Sequence, residues 1–262
     1  MYYYIILLFL AVVPSYVLAR YVYQNDVIEK ESKSLLTKLF FGGFLSALIA
    51  IIISLIIDYF VKSDEMLTSL PKTFIYAFLM VGVVEETSKY IVLRKITWNN
   101  REFNYIYDAL VYATYVSLGF ATIENIMYVF SYGIQTAVTR ALLAVPGHLS
   151  FGIFMGYFYG FSKKYYLKND RKNYKINNLL TLLAPSLGHG IFDFCLFSNN
   201  SIFLLGYFVY VVILFKVASN LLKKVSKEDM QLVNTNSFHY CPYCGSVAKG
   251  LYCSNCGNRL YK

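Results

Sequence analysis

Charge is what this sequence has least of. Only 15% of its residues are Asp, Glu, Lys or Arg, while 57% are hydrophobic, and a water-soluble domain carries about 25% charged residues. A chain of 262 residues could hold one or two domains, but this composition excludes an ordinary soluble core. Apolar–polar alternation is also missing. That excludes half-buried strands even at 18–26 and 51–57, which are rich in β-branched or aromatic side chains. The chain has no internal repeat and no low-complexity tract. Cysteine is absent from the first 194 residues. Cys195 then stands alone in an apolar run, where it reads as a small buried hydrophobe.

What is present is a series of apolar runs, near 2–19, 40–62, 70–93, 105–131, 137–162, 177–198 and 201–222. Each is long enough to cross a hydrocarbon layer about 30 Å thick. Without water at that depth the backbone must satisfy itself, so the runs are helices. The expectation is an all-α polytopic membrane protein with about seven transmembrane helices. The first run has no basic segment before it and Arg20 after it, so it reads as a span, although Val17-Leu18-Ala19 could mimic a leader cleavage site.

The formal net charge is +9. Its bases gather in 20–39, 94–104, 163–176 and the tail after 222, while the opposite loops hold only Lys62 and Lys72, beside Asp64 and Glu65. This asymmetry accounts for the charge without nucleic acid. It predicts an outside N-terminus and a cytoplasmic C-terminus, with the bilayer as the chain's surroundings.

Three units follow: a membrane domain 1–222, a polar linker 223–237, and a small module 238–262. In the module, Cys241-Pro-Tyr-Cys244 and Cys253-Ser-Asn-Cys256 are two C-x-x-C pairs eight residues apart, each followed by a glycine. Such turns aim four thiolates at one tetrahedral ion and leave no open position, which predicts a structural zinc ribbon. A segment this short cannot fold by burial alone, so the ion supplies the folding energy. His239 is an accessory ligand at most. A redox dithiol would explain only one of the pairs. The sequence names no partner for the ribbon.

Ionisable groups at membrane depth cost several kcal/mol and ask for a reason. Glu85 and Glu86 stand four and three residues before Lys89, so the ammonium can reach either acid. Phe120 and Glu124 share a face of the next run, followed by Asn125; Arg140, Pro146 and His148 lie in the fifth; His189 and Asp193 are i,i+4 in the sixth. An aspartate one turn from a histidine can fix its tautomer. Four neighbouring spans with polar groups at depth predict one converging polar cavity. Asp108 reads instead as a solvated helix-end residue. On these residues alone a protease, a proton-coupled transporter, and a non-catalytic immunity or sensor protein all stay open.

Glu85-Glu86-Thr87-Ser88-Lys89, Phe120-Ala121-Thr122-Ile123-Glu124 and His189-Gly190-Ile191-Phe192-Asp193 resemble the E-E-x-x-K, F-x-x-x-E and H-x-x-x-D elements of the PrsW family of bacterial intramembrane proteases. Pro146-Gly147-His148 is similar to the family's further histidine segment, and the resemblance covers about 70–195. It implies an endopeptidase in or beside the bacterial cytoplasmic membrane, acting on a membrane-protein substrate. Family members are known for the first cut in a membrane-spanning anti-sigma factor during stress signalling. The implied catalytic set is Glu85, Glu86, Lys89, Glu124, His148, His189 and Asp193. One glutamate would act as general base and a histidine would stabilise the oxyanion. If an ion is used instead, His148, His189 and a glutamate would hold it. No H-E-x-x-H, G-x-S-x-G or G-x-G-D element occurs, which disfavours those protease chemistries. The ribbon lies outside the family core.

Overall fold

A computed structural model describes residues 2–228, 230–232, 239–241, 243–248, 253 and 255–258. The apolar runs become helices: α1 (Tyr2–Gln24), α2 (Lys33–Val61) and the single turn α3 (Ser63–Met66). The third crossing is one continuous helical run made of α4 (Leu70–Ile75), a π-helical segment π1 (Tyr76–Gly82) and α5 (Val83–Thr97). Next come α6 (Ile106–Tyr132), α7 (Ile134–Thr139), a second π segment π2 (Arg140–Ala144), α8 (Val145–Leu167), α9 (Arg171–Phe197) and α10 (Ser201–Lys227). Among the described residues, six helices, counting 134–167 as one, are long and apolar enough to cross a membrane. The third run, helical throughout but divided by its π segment, is the additional crossing that the sequence predicts.

Helix α6 is the axis of the bundle and packs against α1, α2, α5 and α8. Its most apolar stretch is 89% buried, against 28% for α2 and 22% for α10. Large apolar side chains such as Ile52, Leu55, Leu205 and Val212 face outward from those outer helices, as a lipid solvent allows. Close approach of α8 to α6 needs glycine. A Cβ on Gly156 would lie 2.5 Å from the carbonyl oxygen of Ala109, and Gly152 and Gly160 line up with it on the same face of α8. Without a hydrophobic force between helices in lipid, such small-residue seams let backbones pack closely.

The helices reach past the predicted spans at the end of the bundle rich in bases. Polar ties knit that end together. Ser32 donates to Glu102 through its backbone N–H at 2.7 Å and its hydroxyl at 2.9 Å. Tyr107 donates to the Val22 carbonyl at 2.9 Å, and Lys163 to the Trp98 carbonyl. Asp108 corrects its reading as a solvated residue. It is buried, and its Oδ2 accepts from the backbone N–H groups of Asn104 and Tyr105 at 2.8 and 2.7 Å, so the carboxylate caps α6.

Helix α10 runs to Lys227, into the segment read as linker, and the chain then turns back: Ile106 N–H donates to Met230 O at 3.1 Å and Leu232 N–H to Asn104 O at 2.8 Å. In the tail, β1 (His239–Tyr240) pairs antiparallel with β2 (Val247–Ala248). The rest of the expected linker and parts of the ribbon, including Pro242 and Ser254, lie outside the described residues, as does the His239 side chain.

Candidate active site

Both π segments stand directly before site residues. Pro146 has no N–H to donate, and just before it Val145 N–H reaches back five residues to Arg140 O. His148 follows within one turn. In π1, Val83 N–H bonds Phe78 O with the same wide spacing, and Glu85 and Glu86 follow. Wide turns of this kind are frequent at functional sites. Helix α9 approaches π1 so closely that a Cβ on Gly190 would lie 2.8 Å from the Phe78 Cα. Glycine there brings His189 to the carboxylates of α5.

The seven residues singled out from the sequence converge, from four helices. Lys89 Nζ donates to Glu86 Oε1 at 2.7 Å and to His148 Nδ1 at 3.3 Å, and lies 4.1 Å above the Phe120 ring. An ammonium only donates, so His148 Nδ1 accepts and its Nε2–H faces Glu124 Oε2 at 2.8 Å. Glu124 also takes Arg140 Nη2 at 3.2 Å, while Arg140 Nε donates to Asn125 Oδ1 at 2.7 Å. His189 Nδ1 donates to Glu86 Oε1 at 2.9 Å, which turns its Nε2 toward Asp193 Oδ2 at 3.4 Å and Glu85 Oε2 at 3.7 Å.

Glu85 and Glu86 differ despite being neighbours. The Glu86 side chain is fully buried and tied to Lys89 and His189, whereas that of Glu85 is 14% exposed. Neither Glu85 Oε2 nor Glu86 Oε2 makes a hydrogen bond, but Glu86 is bonded through Oε1. Glu85 Oε2 has only the longer ion-pair contacts to Lys89 Nζ and His189 Nε2, each at 3.7 Å. Two cavities meet at Glu85. One, of about 320 Å³, is lined by Glu85, Glu124, Arg140, His148, His189 and Asp193. The other, of about 330 Å³, reaches Glu85 and Glu124 from between α2 and α6.

Sequence reasoning missed three walls of this site. Phe151 stacks on His189 with ring centroids 4.7 Å apart, Tyr128 borders both cavities beneath Arg140, and Tyr207 closes one side from α10. Phe151 was findable, being three residues from His148 on one helix face. The tyrosines were hidden among 26.

Whether these groups fit an ion is a question of ligand spacing. Among the described residues, only Cys241, Cys244, Cys253 and Cys256 bring three or more ligand atoms within 4.8 Å of one another. His148 has both ring nitrogens engaged, so the expected set of His148, His189 and a glutamate does not form. As arranged, the intramembrane group does not close around an ion. The tail does. Cys241 and Cys256 Sγ are 3.6 Å apart and Cys244 and Cys253 Sγ 3.5 Å, near the roughly 3.8 Å edge of a tetrahedron with 2.3 Å metal–sulfur bonds. Gly245 and Gly257, at φ 71° and 72°, make the left-handed turns of the two knuckles. The Ser246 hydroxyl beside Cys253 draws that thiol down to about 6.

Residues 31–218 match a family described as "PrsW family intramembrane metalloprotease". A protein named Protease PrsW from Oceanobacillus iheyensis is 36% identical over 84% of this chain and 95% of its own length. Its namesake in Shouchella clausii is 33% identical over 83% and 95%, and that of Bacillus subtilis 31% over 76% and 88%. No solved structure gives a significant match. Neither a transporter nor a non-catalytic sensor is what these relatives are named for. With its elements in order across the bundle and a family match over most of its length, the chain is a multi-pass membrane peptidase and belongs to the PrsW family of intramembrane metalloproteases.

Proposed function

We propose that the chain cuts a peptide bond of a single-span membrane protein, with Glu85 as the general base. The observation that supports this most is the setting of Glu85 Oε2. This oxygen is buried, has no hydrogen-bond partner, and sits where both cavities meet, 3.7 Å from His189 Nε2. A water held there loses a proton to Glu85 as its oxygen attacks the carbonyl carbon. His189, as an imidazolium held between Glu86 and Asp193, offers its Nε2–H, and Arg140 its guanidinium, to the oxygen that gains charge. Glu85 then passes its proton to the leaving nitrogen as the C–N bond breaks. Glu86 holds His189 at Nδ1 and Asp193 steadies its other edge. Lys89 and the His148–Glu124 pair keep these groups in register. No step runs through an ion at this site.

The acids lie toward the ends of α6 and α9 remote from the basic end. Asp193 is four residues, about 6 Å, from the last residue of α9. With the basic end in the cytoplasm, the N-terminus is outside, the tail inside, and the cut falls in the outer half of the bilayer. The resemblance points to an anti-sigma-factor-like substrate within this class. In the tail, four sulfur ligands with this spacing favour zinc. The test uses the purified full chain in vesicles with a single-span reporter. Glu85→Gln should slow cleavage by about 10²-fold or more; wild-type rates from that variant remove the base assignment.

A further inference from the structure

Toward the basic end of the bundle, α1 and α2 part to leave a groove of about 730 Å³ that shares no lining residue with the cavities at Glu85. It is built like the complement of an amphiphile. Its rim carries Arg20, Lys30 and Lys33, and its walls carry Tyr16, Phe40 and Phe41. The two zones are stacked along the helices. Tyr16 lies one turn, about 6 Å, inward from Arg20 on the same face of α1. Phe40 lies two turns, about 10 Å, inward from Lys33 on the same face of α2.

The cations of the rim are not equivalent. Lys30 is occupied: Nζ donates to the Tyr23 carbonyl at 3.1 Å and lies 4.5 Å above the Tyr23 ring. Arg20 and Lys33 have neither an ion pair nor a hydrogen bond among the described residues. Two unpaired cations above an apolar cleft at a membrane boundary match one ligand chemistry, a phosphodiester anion joined to hydrocarbon chains. A free phosphate would satisfy the cations and leave the aromatic wall wet. A zwitterionic headgroup would bring its own ammonium against the same bases.

We propose that this groove holds one phospholipid with a net negative headgroup, its phosphate between Arg20 and Lys33 and its chains along Tyr16, Phe40 and Phe41. The site is separate from the peptidase centre and does not depend on its chemistry.

The test is titration of the full chain in neutral detergent with short-chain phosphatidylglycerol, short-chain phosphatidylcholine and inorganic phosphate, read by thermal shift and by native mass spectrometry. Phosphatidylglycerol should bind one per chain, and more tightly than the other two. Each basic residue near a membrane surface is worth about a five-fold change in affinity. Arg20→Gln with Lys33→Gln should therefore weaken phosphatidylglycerol about 25-fold, and each single variant about five-fold. The charge-keeping pair Arg20→Lys with Lys33→Arg should retain binding. So should Lys38→Gln, on an exposed base outside the groove. Both neutralised residues lack internal partners, so the lipid-free melting point should stay at the wild-type value, and the single variants decide the matter if the double variant does not fold. Equal affinity for phosphatidylcholine, equal affinity for inorganic phosphate, wild-type binding by the neutralised variants, or an equal loss in Lys38→Gln each overturns the proposal.

Discussion

Glu85 and Glu86 are adjacent in sequence and opposite in circumstance, and that contrast is testable one side chain at a time. Glu86 is answered by Lys89 and His189 in a fully buried setting. Glu86→Gln leaves the buried ammonium short of its nearest counter-charge, which typically costs about 3–5 kcal/mol and should lower the melting point of the detergent-solubilised chain. Glu85 meets the same two partners only at 3.7 Å, so Glu85→Gln should lower the melting point less than Glu86→Gln does while slowing cleavage by about 10²-fold or more. Equal melting losses in the two variants would contradict this division of labour. At the basic end, Glu31 offers a pH test outside the spans. Burial, and then the charge of Asp108, push its carboxyl from 4.5 up to about 10. The folded chain thus keeps a proton that the unfolded chain releases near 4.5. The stabilisation is complete below that pH and fades as the pH climbs toward about 10. Glu31→Gln cannot release this proton, so its melting point should fall less than that of the wild type between about pH 6 and pH 9. Parallel curves would assign the alkaline loss elsewhere.

At the scale of elements, the helices were legible from run length alone and their seams were not. The glycines at 152, 156 and 160 stand at helical spacing in plain view, yet spacing does not say which partner they face. In the fold they face α6. Gly156→Ala drives a methyl against the Ala109 carbonyl and should cost about 1–3 kcal/mol. Gly206, with nothing near its missing Cβ, should accept alanine without loss, and unfolding both variants side by side checks the pair. The π segments were legible only in part. Pro146 announces an interrupted hydrogen bond, but nothing in Tyr76–Gly82 does, since that wide turn arises where α9 packs against it. Asp108 was misread for a related reason. A carboxylate before an apolar run looks solvated until the loops that bury it are in place. The acids and imidazoles, by contrast, were legible because their chemistry is out of place in hydrocarbon. Tyr128 and Tyr207 are ordinary there, and so were invisible.

For the whole molecule, the cysteine cluster that could hold an ion and the proposed peptidase centre belong to different parts of the chain. Cys241→Ser should reduce the metal content of the purified protein from one ion per chain to none, with reporter cleavage retained. A second, retained ion would contradict the ligand spacing found among the membrane helices. The paired cavities at Glu85 carry a consequence of their own. A pocket that takes chain ends is blind, whereas this carboxylate borders two cavities, one lined from α9 and α10 and the other from α2. If substrate binding joins the two, an extended strand lies across Glu85 with residues continuing in both directions. Such a trench needs no free amine or carboxylate to position its substrate, so capping both termini of a reporter peptide should leave the cut, and its place in the strand, unchanged.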